Sequence, residues 1–365
     1  MRCRTATITW ITYPNYGTFL QAYALQQTLL SLGCTNAIID DKRIIDSAKR
    51  ITLRMKIGAI KNKILEFLHL KPKTNPNLHI SFYNSFRDKY LNIDSEWTDL
   101  KSLSDSYDTF ICGSDQIWSP YLKFEPYYYL AFTDKKKIAY APSTGTGSCN
   151  QEYVENIRPL LESFSHIAVR EADGAEMLSA FIEKDIKVVL DPTLLLSSED
   201  WDRVAQPIAN DAPYIMCYFL TPNTWYLNYA REYSKKHNVK IKIFNTNPVY
   251  QKYGFDCIWA GPSEFLSYIK GADKVFTDSY HASIFSIIYQ KDFVTFKRFE
   301  DGGTNDQNAR IANLFRKLGI ESRFIGKERL HDIEHLDELC YTNMNGYIGT
   351  LRDESISYLR NALAE

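Results

Sequence analysis

Three side chains that can carry chemistry follow short apolar runs in this sequence: Asp115, Arg170 and His281. In parallel α/β sheets the segments just after the strands form the ligand-binding edge, so chemistry is expected at these positions. Histidine is the commonest general acid or base, and a carboxylate can act as a base or hold a sugar hydroxyl. A planar guanidinium can hold a carboxylate or a phosphate through two hydrogen bonds. Together the three residues offer an acid, a base and an anion clamp.

Each of the three residues also has a structural interpretation. Arg170 could form an ion pair with the neighbouring Glu171 or with a carboxylate of another domain. Asp115 could cap the short helical segment that follows it, and His281 could pack in a strand–helix turn. Asp278 or Ser279 in that turn is a good N-cap, and the helix N-terminus there favours an anion. The residues alone leave both interpretations open.

Further candidates lie in the loops that follow other apolar runs. Trp118 could stack on the face of a sugar or pack in the core, and Gln116 lies close to it in the sequence. The turn at residues 15–18 looks like a phosphate-cradling loop, but it lacks the glycine spacing and the lysine of nucleotide-binding motifs. The remaining candidates are Asn15, Tyr16, Ser143, Lys297 and Arg298.

Patterns typical of metal sites are weak in this chain. Asp200-Trp201-Asp202 is an Asp-x-Asp motif, but it stands at a predicted helix start, where carboxylates suit the helix dipole. His331 and His335 have the spacing of two ligands on one helix face, but no third ligand is evident. We therefore expect no metal site.

The elements that must position these residues follow one another in a regular order. Short apolar runs alternate with helical patterns, which predicts a parallel sheet with helices on both faces. The alternation pauses at residues 191–212, and a second series begins at Tyr214. We therefore predict two doubly wound, Rossmann-like α/β domains that face each other across a cleft. Their expected ranges are 1–195 and 205–345, and a helix at 346–365 could pack back on the first domain.

The composition is that of a globular protein. The 365 residues are 45% hydrophobic and carry 43 basic against 44 acidic side chains, a formal net charge of -1. Bulk binding to nucleic acid normally needs a basic excess, so we expect none. The cysteines form no C-x-x-C pair, and no signal peptide or apolar run of ~20 residues is evident. These features predict a soluble cytoplasmic protein.

Residues 42–73 differ from the rest of the chain in charge. They contain ten basic residues against Asp46 and Glu66, with apolar residues at helical spacing. A basic amphipathic helix of this kind can lie on an anionic membrane surface. It can equally pack on its own domain with a solvated basic face, and the sequence leaves both alternatives open.

Six segments of the chain, taken in order, resemble the polysaccharide pyruvyl transferase family, and they span nearly the whole sequence. Each segment alone is a weak signal, whereas six in the same order are a strong one. The segments are Asn15–Gln26, Gly113–Trp118, Tyr140–Ser143, Val169–Glu171, Asp191–Leu195 and Thr277–His281.

The resemblance implies both a fold and a reaction. The fold would be similar to that of the two-domain glycosyltransferases of the B type, with the acceptor on the N-terminal domain and the donor on the C-terminal one. The reaction would transfer the pyruvyl group of phosphoenolpyruvate to two hydroxyls of a sugar, which gives a pyruvate ketal and phosphate. Phosphoenolpyruvate is then a substrate, and no metal or other cofactor is required. The acceptor would be a precursor of a bacterial capsule or exopolysaccharide, expected to be lipid-linked.

The resemblance also suggests a role for each candidate residue. His281 would be the general acid and Asp115 the base. Donor-binding residues would be Arg170, Lys297, Arg298, Ser279 and Ser143. Acceptor-binding residues would be Asn15, Tyr16, Gln116 and Trp118. Some branches of the family carry an arginine where this chain has Ser279, and Lys297 or Arg298 could replace that anion contact.

Two other functions fit the same architecture. One is a glycosyltransferase that uses a nucleotide sugar, which competition between phosphoenolpyruvate and nucleotides would detect. The other is a glycan-binding protein without catalytic activity, which would bind sugar but release no phosphate. Fold analogy alone does not separate these alternatives.

Overall fold

Two parallel sheets, one in each half of the chain, form the framework of the protein. The computed structural model describes residues 3–40, 76–209, 213–299 and 308–365. The basic segment predicted at 42–73 therefore lies outside the described residues. The prediction of two Rossmann-like α/β domains is confirmed, because the strands pair in parallel and helices connect them.

The N-terminal sheet has seven strands. They are β1 (Arg4–Ile8), β2 (Thr35–Ile39), β3 (Ile93–Asp94), β4 (Thr109–Cys112), β5 (Lys136–Tyr140), β6 (His166–Val169) and β7 (Ile186–Val188). Their spatial order is β3-β2-β1-β4-β5-β6-β7. The central strands are almost completely buried, as expected where helices cover a parallel sheet on both sides. In register, Ala6 of β1 faces Ala37 of β2 and Phe110 of β4.

Helices connect these strands and cover the sheet. They are α1 (Tyr16–Ser31), α2 (Pro76–Tyr90), α3 (Leu100–Ser106), α4 (Gln151–Leu161) and α5 (Ala172–Ser179). A short 3₁₀ turn at Pro192–Leu195 and helix α6 (Ser198–Asp202) then lead towards the second half of the chain. α1 is buried along most of its length, because it lies between the N-terminal sheet and the second domain.

The C-terminal sheet has six parallel strands. They are β8 (Tyr214–Tyr218), β9 (Lys240–Phe244), β10 (Asp256–Ile258), β11 (Lys274–Thr277), β12 (Asp292–Phe296) and β13 (Phe324–Ile325). Their spatial order is β10-β9-β8-β11-β12-β13, which repeats the pattern of the first sheet. The helices are α7 (Thr224–His237), α8 (Pro262–Gly271), α9 (Tyr280–Ile288), α10 (Ala309–Leu318) and α11 (Tyr341–Ala364).

The last helix, α11, crosses back to the N-terminal domain. The Tyr358 hydroxyl donates to the backbone oxygen of Ala139 at 2.9 Å, and the Ser355 hydroxyl accepts from the Leu190 amide at 3.0 Å. α11 begins at Tyr341, earlier than the helix expected from residue 346. None of the helices within the described ranges combines the length and apolar character that a membrane span needs.

An apolar cluster that includes residues of both domains packs the two halves together. Tyr16 of α1 stacks on Phe265 of α8 with ring centroids 4.4 Å apart, and its hydroxyl donates to the Ala260 backbone oxygen at 2.9 Å. Trp201 packs edge-on against Phe285 at 4.9 Å. Aromatic pairs of this kind add about 0.5–1.5 kcal/mol each beyond the area they bury. The loops at the carboxyl ends of the two sheets are thereby held against each other.

Candidate active site at the domain interface

The loop between β11 and α9 is fixed by its own polar residues. Asp278 accepts hydrogen bonds from the amides of Leu220 and Thr221, at 2.6 and 3.0 Å, and from the Tyr226 hydroxyl at 2.8 Å. Burial raises the pKa of Asp278. Ser279 caps α9, because its hydroxyl accepts from the Ala282 amide at 3.4 Å. Ser279 therefore has a structural role in this loop, and His281 follows in the first turn of the helix.

The ring of His281 lies directly on the backbone of Gly17, at the start of α1 in the other domain. A Cβ atom at position 17 would lie 1.9 Å from Nδ1 of His281 and 2.2 Å from its Cγ. The imidazole is 6% exposed. Glycine is required at position 17, because any side chain there would occupy the space of the ring.

The other nitrogen of this imidazole faces a buried carboxylate. Nε2 of His281 lies 3.5 Å from Oδ2 of Asp191, an ion-pair distance rather than a formed hydrogen bond. Asp191 also accepts from the Thr193 amide and hydroxyl, at 2.9 and 2.6 Å. Burial alone would raise the pKa of Asp191, but His281, Arg170 and Thr193 together hold it well below its ordinary value. The carboxylate is thus kept ionised beside the histidine.

Arg170 forms the ion pairs that its structural interpretation predicted, but one nitrogen of its guanidinium group stays available to a ligand. Its Nε donates to Oε1 of Glu171 and its Nη1 to Oδ2 of Asp191, both at 2.7 Å. Nη2 is buried and has no hydrogen-bond partner among the described residues. The guanidinium lies 4.4 Å from the centre of the Tyr280 ring. Arg170 therefore positions two carboxylates and can still donate to a ligand.

Asp115 is joined to the same network through short polar contacts. Its Oδ2 accepts from the Thr18 hydroxyl at 2.8 Å, and its backbone oxygen accepts from the Ser143 amide at 2.8 Å. The Ser143 hydroxyl in turn donates to Oε1 of Glu171 at 2.9 Å. Asp115 has φ +68°, a left-handed conformation that costs a non-glycine residue roughly 1–3 kcal/mol and is typical of functional sites.

Arg310 on α10 is a further candidate residue that sequence reasoning missed. Its side chain lies 5.8 Å from the centre of the Tyr280 ring, and Nε has no hydrogen-bond partner among the described residues. Burial, reinforced by the positive charge of Arg170, lowers the pKa of Arg310 to about 10. The signal for it is weak in the sequence: an arginine next to Ile311 on the buried face of a strongly amphipathic helix.

Lys297 and Arg298 are not brought together with Arg170. Arg170, Tyr280 and Arg310 line a cavity of about 320 Å³ between the domains. Lys297 and Arg298 line another cavity, of about 550 Å³, at the carboxyl end of β12. Nε of Arg298 donates to the Thr221 hydroxyl at 2.9 Å. The two residues therefore do not line the cavity that Arg170 lines.

The residues expected to bind the acceptor are mostly structural in this conformation. Trp118 is 0% exposed, stacks on Tyr129 at 5.3 Å and donates its indole N–H to the Tyr128 oxygen. Tyr16 is also buried, as described above. Neither ring has an exposed face in this structure, and the assignment of the two residues to acceptor binding stays a prediction. Asn15 caps α1 by accepting from the Gly17 amide at 2.9 Å, and Gln116 is half-buried beside Gly145.

The motifs considered for metal binding are engaged in other contacts. Asp200 belongs to a capping box with Ser197, and Asp202 pairs with Lys270 at 2.7 Å. Within the described ranges, no group of three or more His, Cys, Asp and Glu side chains is arranged to hold a metal ion.

Comparison with known proteins identifies relatives at the level of sequence and of fold. The sequence model for polysaccharide pyruvyl transferases matches residues 15–298. A search of curated proteins gives no match. The UDP-GlcNAc 2-epimerase of Neisseria meningitidis, bound to UDP-GlcNAc, has a similar structure with a TM-score of 0.52 and 13% identity, over 98% of this chain and 99% of that one. The UDP-GlcNAc 2-epimerase of Methanocaldococcus jannaschii has a TM-score of 0.51 and 12% sequence identity. The similarity covers 91% of this chain and 92% of that one. These structures share the two-domain fold.

Proposed function

This chain belongs to the polysaccharide pyruvyl transferase family, and we propose that it transfers the pyruvyl group of phosphoenolpyruvate to two hydroxyls of one sugar. One observation carries the proposal. Gly17, Arg170, Asp191 and His281 come from four separate segments that match the family in sequence, and they meet at one domain interface. The cluster contains an acid–base residue, an ionised carboxylate and guanidinium groups, which are the components this reaction needs.

In the proposed mechanism, His281 protonates the methylene carbon of phosphoenolpyruvate. The electron pair of the carbon–carbon double bond forms the new C–H bond, and positive charge develops on the central carbon and its ester oxygen. A sugar hydroxyl attacks that carbon while Asp115 accepts its proton. Phosphate then leaves with the electron pair of its C–O bond, and a second hydroxyl closes the ketal. Of the two hydroxyl protons, one restores His281 and the other leaves with hydrogenphosphate, so atoms and charge balance.

The buried contacts of the cluster fit these roles. Asp191 faces the imidazole with a negative charge at 3.5 Å, and Gly17 fixes the plane of the ring from the opposite domain. Arg170 is held by two carboxylates, so its free Nη2 points in a fixed direction. Fixed donors in a site that excludes water stabilise developing charge more strongly than water does. The leaving phosphate needs that kind of stabilisation.

The proposal includes an acceptor at a membrane surface. A lipid-linked glycan presents its sugars at the membrane, and the ten basic residues of segment 42–73 would draw the enzyme towards an anionic leaflet. The N-terminal domain, which carries this segment, would then bind the acceptor, and the C-terminal domain would contribute His281 to the donor.

The experiment that tests the proposed function is a transfer assay. The protein is incubated with phosphoenolpyruvate and candidate glycans, both free and lipid-linked, and products are analysed by mass spectrometry for a pyruvate ketal. We expect a ketal together with an equal amount of released phosphate, and neither with His281→Ala. Binding of nucleotide sugars with no effect of phosphoenolpyruvate would instead indicate a glycosyltransferase. Sugar binding without phosphate release would indicate a glycan-binding protein.

A further inference from the structure

Two buried guanidinium groups lie against the same aromatic ring at the domain interface. Arg170 and Arg310 are 6% and 9% exposed, and they lie 4.4 and 5.8 Å from the centre of the Tyr280 ring. Burying two like charges close together is costly unless an opposite charge compensates both. Arg170 has such partners in Glu171 and Asp191, whereas the structure records no ion pair for Arg310 among the described residues.

Among the residues that line the cavity of Arg170 and Arg310, three polar atoms have no hydrogen-bond partner within the described part of the chain. Two are donors, Nη2 of Arg170 and Nε of Arg310, and one is an acceptor, Oε2 of Glu171. The three residues line the same cavity of about 320 Å³, which is within the range of small-ligand sites. Buried polar atoms are nearly always paired in native proteins, so three unpaired atoms around one cavity mark a place where a polar ligand can bind. That ligand must accept two hydrogen bonds and donate one.

We propose that Arg310 and Arg170 bind the phosphate group of the donor, and that Glu171 accepts the hydroxyl of hydrogenphosphate once that group has left. The inference rests on the proposed function for the identity of the donor. Hydrogenphosphate has oxygens that accept from both guanidinium groups and one P–OH that donates to a carboxylate. A carboxylate ligand has no hydroxyl to donate, so it would leave Oε2 of Glu171 without a hydrogen-bond partner. Ser279 caps α9 and brings no charge to the site.

Binding of inorganic phosphate to the full-length chain tests this assignment without requiring turnover. Isothermal titration calorimetry would measure the affinity for phosphate and for phosphoenolpyruvate. The proteins compared are the wild type, Arg310→Gln, Arg310→Lys and Glu171→Gln. We expect Arg310→Gln to weaken phosphate binding about 10- to 100-fold, the scale of losing a charge-assisted hydrogen bond. Arg310→Lys, which keeps the charge without the planar fork, should restore part of the affinity.

Arg316→Gln is the matched control. Arg316 lies on the same helix and at the same cavity, but it is exposed, so its loss should change phosphate affinity by less than ~3-fold. A cooperative melting transition shows that each variant folds. A higher Tm in the presence of phosphate shows that the folded variant binds it. If Arg310→Gln fails to fold, Arg310→Lys still tests the assignment, because its phosphate affinity should lie below that of the wild type.

The possible results separate this inference from the proposed function. Phosphate binding that is lost in Arg310→Gln but kept in Arg316→Gln supports the assignment, even if no glycan is ever pyruvylated. Transfer activity together with unchanged phosphate affinity in Arg310→Gln would overturn the assignment and leave the proposed function intact. A wild-type protein that binds neither phosphate nor phosphoenolpyruvate would overturn both.

Discussion

Replacing Gly17 by alanine should disable the site while leaving the fold nearly intact. The new Cβ would lie 1.9 Å from Nδ1 of His281, whereas ordinary contacts begin at 3.4 Å, so the ring must retreat by roughly 1.5 Å. A misplacement of about 1 Å can cost a reaction 100-fold. We therefore expect kcat of Gly17→Ala to fall at least ~100-fold in the transfer assay.

The cost to stability should be small because two effects oppose each other. Overpacking a buried contact costs about 1–3 kcal/mol, while alanine in place of glycine within a helix recovers roughly 0.5–1 kcal/mol. Gly17 lies within α1, so both effects apply. The net loss of about 0–2.5 kcal/mol corresponds to a fall in Tm of only a few degrees.

A double-mutant cycle shows whether the loss of activity acts through His281. His281→Ala alone should lower kcat at least ~100-fold, the usual scale for losing a general acid. Gly17→Ala added to it should cause little further loss, because residues that act as a unit are not additive. Gly349→Ala is the matched control: this helical glycine has open space around its Cβ position, so activity should not change. Activity of Gly17→Ala within ~3-fold of wild type would refute the placement of the ring.

Three further predictions concern Arg170, Asp191 and the basic segment 42–73. Arg170→Lys keeps the charge but loses the planar fork, so the KM for phosphoenolpyruvate should rise, and an unchanged KM would leave Arg170 as a structural ion pair alone. Asp191 has a lowered pKa in the folded state, so it contributes stability that is present above its unfolded pKa of ~3.9 and lost as the pH falls below it. Urea unfolding of Asp191→Asn should therefore show lower stability at neutral pH and a flatter loss in acid, and a wild-type-like pH profile would contradict this. The protein should sediment with anionic liposomes at low salt and be released at high salt, and neutralising three lysines of segment 42–73 should abolish sedimentation. Those lysines are Lys56, Lys61 and Lys63. Failure to sediment at low salt would mean that the segment does not bind lipid.

The strand framework was largely predictable because short apolar runs alternate with helical patterns along the chain. The second sheet begins at Tyr214, the residue at which the second series was predicted to begin. The two-residue β3 and the three-residue β10 were not predicted. They contain aspartate and are too short to show a pattern, and pairing with a neighbouring strand is what defines them. Their existence depends on tertiary contacts that local sequence does not record.

The candidate site was only partly predictable, for a geometric reason. The rule that ligands bind after parallel strands selected Arg170 and His281, and the structure brings these two side chains together through Asp191. The same rule placed Lys297 with them. It predicts at which edge of a sheet a residue lies, but it does not predict the position of that residue along the edge. Arg310 projects from a helix rather than from a strand end, so no strand-based rule could find it.

The central claim is that a carbon of phosphoenolpyruvate gains a proton from His281 and then bonds to two sugar hydroxyls. The transfer reaction run in D₂O tests it directly, since phosphoenolpyruvate has two hydrogens on its methylene carbon and the ketal methyl has three. Mass spectrometry and NMR of the glycan should detect a ketal whose methyl group carries one deuterium, formed together with released phosphate. A pyruvylated glycan without deuterium in that methyl group, or no ketal from any acceptor tested, would contradict the account.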